Sequence, residues 1–167
     1  MHLLRILLLA SLCLGLSGCG FSLRSNDVLT TKFSVLHLQL EQPNSELSRL
    51  LQSSLEIASV ATAAASATDA ADAIPVLHVG AEQLISRPVS VNPRARAAQY
   101  ELRMSVDTSL AVGSEILLQP ETLLVERSYF EDIENIVGTQ EELAIIAGEM
   151  RRELVNQLLR RLESLNI

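Results

Sequence analysis

The sequence predicts an α+β fold, a two-layer sandwich in which an about four-stranded, mostly antiparallel or mixed sheet carries two helices on one face. Three observations lead there. Period-two alternation recurs in several separate stretches, most cleanly in "AAQYELRMSV". Apolar residues take helical spacing in two stretches, one soon after the first strand candidate and one at the C-terminal end. The resulting order is strand, helix, three strands, helix, and one sheet covered on one side by both helices is its economical packing.

Ahead of these elements, residues 1–18 have the parts of a secretory leader, with Arg5 as the positive end and Ile6 to Leu16 as the apolar run. That run is too short to cross a hydrocarbon core of ~30 Å as a helix. The leader ends in "LSGC", which resembles the lipobox of bacterial lipoproteins; the alternative is a soluble secreted chain with a chance cysteine. The resemblance implies cleavage before Cys19, a diacylglyceryl group on its thiol and an acyl chain on its amine. Cys13 leaves with the leader, so an acylated Cys19 leaves no thiol for a disulfide. Several acyl chains hold a protein firmly where one binds reversibly. Gly20 stands where Asp favours inner-membrane retention in such lipoproteins, and is therefore permissive for the outer membrane.

Residues 19–32 read as a polar lipid-anchored tether, and 33–167 as a single domain. "FSVLHLQL" (33–40) is the first strand, with Leu36, Leu38 and Leu40 on one side. "EQPNS" breaks it and offers Asn44 or Ser45 as a helix cap. Leu47, Leu50, Leu51, Leu55 and Ala58 then mark the buried stripe of a helix. The Ala-, Ser- and Thr-rich stretch 59–73 is open to three readings: a continued helix, a short edge strand, or a loop. Residues 74–91 read as one long strand with a bulge or bend near Gly80, and "NPRAR" turns the chain. In the next strand Tyr100, Leu102, Met104 and Val106 share one face, while Glu101, Arg103, Ser105 and Asp107 share the other. A further strand covers about 115–130, with Pro120 pointing to a sheet edge or a break. Thr139 and Glu142 match a capping box, opening a helix along Leu143, Ala147, Met150, Leu154, Leu158, Leu162 and Leu165.

From Cys19 onward the chain has 12 Lys and Arg against 20 Asp and Glu, a formal charge of −8. That balance argues against nucleic acid as a partner. Enzyme chemistry finds no footing: His37 and His78 lie within strand patterns, no H-x-x-x-H spacing, G-x-S-x-G elbow or phosphate-binding glycine loop occurs, and "FEDIE" reads as loop charge. No catalytic residue, metal or cofactor is expected beyond the acyl chains on Cys19. Against the acidic background, Arg94 and Arg96 in "NPRAR", with Arg87 nearby, form a local basic cluster suited to phosphate, because guanidinium offers paired donors in fixed geometry. The plainer alternative is a solvated turn. Arg127, Tyr129 and Tyr100 read as strand packing, and the pairs Arg151–Arg152 and Arg160–Arg161 as a solvated helix face.

"CGFSLR" behind the lipobox, "ARAAQYELRMSV", "VERSYFED" and "EMRRELVNQLLRRL", in that order, resemble the LptE family of lipopolysaccharide-assembly lipoproteins. The resemblance covers nearly all of the chain after Cys19 and is weakest at 59–73. It implies an outer-membrane lipoprotein that plugs and supports assembly of the LptD β-barrel, and helps deliver lipopolysaccharide to the outer leaflet. Arg94, Arg96 and Arg87 become the expected lipopolysaccharide contacts. Thr139 stands among acids where relatives can carry a basic residue, which leaves a second phosphate contact unsupported. A polar, two-sided domain suits a polar barrel lumen. The competing reading is an auxiliary lipoprotein of another lipid-transport or envelope-scaffolding system.

Overall fold

The computed structural model describes residues 27–66, 73–91, 97–130 and 136–166. Among the described residues, three helices and six strands follow in the order α1 (Asp27–Lys32), β1 (Val35–Leu40), α2 (Glu46–Ile57), β2 (Ala61–Ala64), β3 (Pro75–Val79), β4 (Gln83–Val91), β5 (Ala97–Val112), β6 (Glu115–Phe130) and α3 (Ile136–Ser164). The α+β class and the helices packed against the sheet are as expected. The sheet has six strands instead of about four. Two come from places the apolar pattern leaves ambiguous: the Ala-rich stretch supplies the short edge strand β2, and the 74–91 run divides into β3 and β4.

β1 pairs in parallel with β2 on one side and β3 on the other, while β5 runs antiparallel to β3, β4 and β6. β3 and β4 lie end to end along the same side of β5, so one continuous run of chain borders two successive halves of one long strand. The break comes at Gly80, whose N–H donates to the Asp107 carbonyl. A Cβ on Gly80 would sit 3.4 Å from that of Asp107, ordinary contact with little to spare. β5 and β6 join through Gly113 and Ser114, Gly113 having φ 58°, the left-handed conformation that a two-residue hairpin loop asks of glycine. β6 is an edge strand, as Pro120 foretold. Gln119 and Pro120 together face Ser109 in a β-bulge, which accommodates a residue without an N–H.

The core lies between the sheet and the helices. Leu36, Leu38, Leu77, Leu102, Met104, Val106 and Leu110 from the strands meet Leu47, Leu51, Leu55, Met150, Leu154, Leu158 and Leu162 from α2 and α3. Ser45 caps α2, its hydroxyl accepting from Ser48 N–H. At its other end Val60 N–H donates to Leu55 carbonyl and Ser59 N–H to Glu56 carbonyl, with Ser59 at φ 59° in the place glycine usually takes. Two expectations change. Asp27–Lys32, inside the stretch expected as a tether, is a helix whose Leu29 enters the core. Six residues are too few for a periodic signal. The Thr139–Glu142 capping box does not open the last helix, which is already running at Ile136; Gly138 within it costs about 1 kcal/mol against Ala and does not break it.

Candidate binding surface

The candidate surface is built around the joint between β3 and β4. Ala81 N–H donates to Glu41 Oε2 and Glu82 N–H to Gln42 Oε1, so side chains from the loop after β1 satisfy backbone donors freed where the strand breaks. Glu82 then faces Arg151 of α3, which donates from Nε to Oε1 and Oε2 at 3.0 and 2.9 Å and from a terminal nitrogen to Oε1 at 2.8 Å. A second terminal nitrogen of Arg151 reaches Glu46, in the first turn of α2, at 2.7 Å. The hydrogen bonds it donates to Glu82 hold the guanidinium's pKa above its ordinary value against the opposing pull of burial. One arginine thus ties the strand joint to both long helices.

Beyond this joint β4 leaves the core. All nine of its residues are exposed, and four are apolar: Leu84, Ile85, Val89 and Val91. Among the described residues β4 pairs with β5 alone, which leaves its outer edge without a partner strand as well. With the facing halves of β5 and β6 it makes a three-stranded ribbon. On the ribbon's open face, Arg87 pairs with Glu101 (2.9 Å from Nε) and Arg103 with Glu126 (2.8 Å from Nε), an ion ladder that runs from β4 across β5 to β6. Phe130 is exposed where β6 ends, opposite Gln99. Toward the other end, Pro120 bounds a shallow recess of about 510 Å³ lined with His78, Asp107, Thr108, Ser109, Glu121 and Thr122.

Of the expected contact residues, Arg87 is placed: it lies on β4 and is turned across the strand to Glu101. Arg94 and Arg96 lie in the 92–96 stretch, and Cys19 before residue 27, outside the described residues. Tyr129 is buried and stacks on its cross-strand partner Tyr100, ring centroids 5.3 Å apart and planes at 14°. Arg127, on the same face, pairs with Glu153 of α3, so Arg127 and Tyr129 serve the packing of the strand, while Phe130 is exposed. Arg152 and Arg160 are exposed and Arg161 pairs with Glu121 at 3.1 Å. Arg151 departs from the solvated-face reading. Its partners are 69 and 105 residues away in sequence, beyond any local signal. Sequence reasoning also missed the β4 surface, because its apolar residues look like core. His78 stands 3.8 Å from Glu41 on the rim of the recess. Among the described residues, no group of three His, Cys, Asp or Glu is placed to hold a metal ion.

Residues 33–162 match the family described as "LptE: Lipopolysaccharide-assembly". Among curated relatives, the LPS-assembly lipoprotein LptE of Pectobacterium atrosepticum is 26% identical over 99% of this chain and 88% of its own length. That of Yersinia pestis is 27% identical over 96% of this chain and 76% of its own. Among solved structures, the rare lipoprotein B of Shewanella oneidensis superposes with a TM-score of 0.69 at 25% identity, over 78% of this chain and 94% of that one. A lipoprotein B from Nitrosomonas europaea gives 0.63 at 17% identity, over 84% and 88%, and supports the fold alone.

Proposed function

The chain belongs to the LptE lipopolysaccharide-assembly family, and from that premise we propose that it is a lipid-anchored lipoprotein of the outer membrane, on the periplasmic side, that plugs the LptD β-barrel. There it supports barrel assembly and helps pass lipopolysaccharide to the outer leaflet. Cys19 carries the acyl chains. The role is binding and placement, with no reaction assigned to any residue.

The observation that carries the docking part is β4. A strand exposed at all nine positions, apolar at four and, among the described residues, unpaired along one edge is a surface made to be covered. The ladder beside it keeps its charges paired, so the ribbon can enter a polar lumen without bringing unpaired charge. Arg94 and Arg96, in the sequence between β4 and β5, are the residues assigned to lipopolysaccharide phosphate, with Arg87 on β4 held by Glu101.

The test is affinity purification of the tagged chain from its own outer membrane in mild detergent, beside a Leu84→Asp/Val89→Asp variant. Wild type is expected to bring down one large β-barrel in stoichiometric amount, resistant to salt, and the variant to lose it while remaining folded and acylated. Recovery of a permease, or of no partner, overturns the plug reading. Separately, Arg94→Ala/Arg96→Ala is expected to weaken lipopolysaccharide binding at low salt; unchanged binding removes those arginines from the site.

A further inference from the structure

The exposed apolar side chains fall largely into two groups at opposite ends of the domain. One is the ribbon, with Leu84, Ile85, Val89, Val91 and Phe130. The other lies where α1 packs. Strand direction places it: β1 and β3 start at this end, β5 and β6 turn there, and α2 and α3 finish there. Thr30 of α1 donates to the Ala58 carbonyl at the end of α2, and Lys32 donates to the Glu163 and Leu165 carbonyls at the end of α3. Around this junction Val28, Val35, Ile57 and Ile116 are all exposed, Ile57 at 70%. The sixteen residues of β5, at about 3.3 Å each, put roughly 50 Å between this end and the far end of the ribbon.

The anchor decides what meets this surface. Asp27 is eight residue steps beyond Cys19, and fully extended these reach at most about 28 Å. An acylated Cys19 therefore keeps α1 within that distance of the leaflet its chains enter, and so short a leash gives a high effective concentration of lipid at this end. We infer that the α1 end, through Val28 and Ile57 with Val35 and Ile116 beside them, is a foot that rests on the lipid surface itself. Lys32 is occupied by helix-end carbonyls and Glu56, Glu115 and Glu163 are close in sequence to the foot, so the contact is apolar in origin and suits a zwitterionic surface. The inference rests on the acylation of Cys19 and is independent of the barrel. It concerns the lipoprotein before it enters the barrel, when the ribbon still points away from the anchoring leaflet.

The experiment uses the whole acylated protein in phosphatidylcholine–phosphatidylethanolamine vesicles. With Cys19 blocked by lipid, a cysteine introduced by Ile57→Cys is the one free thiol, and takes an environment-sensitive dye at an exposed position where the fold is not disturbed. Val89→Cys on β4 is the reference. The dye at position 57 is expected to shift to the blue and to be quenched by lipid-borne nitroxide, and the dye at 89 to do neither. With mass spectrometry showing Cys19 acylated and the protein on the vesicles, equal quenching at both positions, or none at 57, overturns the foot while the lipoprotein reading stands. A shift at 57 that follows protein density instead of lipid quencher identifies a second copy as the occupant and also overturns it. An unmodified Cys19 overturns both readings together.

Discussion

β3 and β4 are adjacent in sequence, hydrogen-bond to the same partner strand and share a similar apolar content, yet they end in opposite surroundings. In β3 Leu77 and Val79 are buried; in β4 no residue is buried. The difference does not arise in the strands. β1 extends the sheet beside β3 and helices cover that half, whereas no strand among the described residues lies along the outer edge of β4. Two stretches with the same local preference thus acquire different roles, one as core and one as contact surface, according to what the rest of the chain lays over them.

That contrast gives an order of expected effects. Leu77 is fully buried, so Leu77→Ala should lower stability in urea denaturation by about 2–5 kcal/mol. At the joint, Arg151→Ala leaves Glu82 half-buried without its bidentate partner. A loss of about 2–3 kcal/mol is expected, with Arg151→Lys recovering part of it, because an ammonium cannot reproduce the paired geometry. On the ribbon, a double-mutant cycle on Arg103 and Glu126 should give a coupling of less than about 1 kcal/mol, shrinking as salt is added, since both groups are well exposed. Smallest of all, Leu84→Ser with Val89→Ser should change stability by no more than about 0.5 kcal/mol while reducing recovery of the barrel. A large stability loss from that last pair would break the contrast, because β4 would then be part of the core.

The sequence makes the covered half of the molecule legible and the uncovered half only in outline. Alternation in β1 and β5 and the stripe of α2 announce their buried faces, because burial there follows the local period. Gly80 marks the bend, and Pro120 the edge, since each has a backbone property no neighbour can mask. What stays hidden depends on distant chain. Leu84, Ile85, Val89 and Val91 look like core until the fold leaves them exposed. Arg151 looks solvated until Glu46 and Glu82 arrive from elsewhere. Thr139 carries a true capping signature, but the preceding turn is compatible with helix and the fold continues through it. The arginines at 94 and 96 are proposed from charge contrast, a signal that needs no structure and supplies no geometry.

Lys32 near one end of the described chain holds carbonyls of residues 163 and 165 near the other. This has a meaning in time as well as in space. α1 cannot settle, and Leu29 cannot leave water, until the last turn of α3 has been delivered. The parallel pairing of β1 with β3 likewise waits for chain well downstream. Such long-range closure makes folding slow relative to chain delivery. The domain should therefore stay open, with its apolar faces in need of protection, until almost the whole polypeptide is in one compartment.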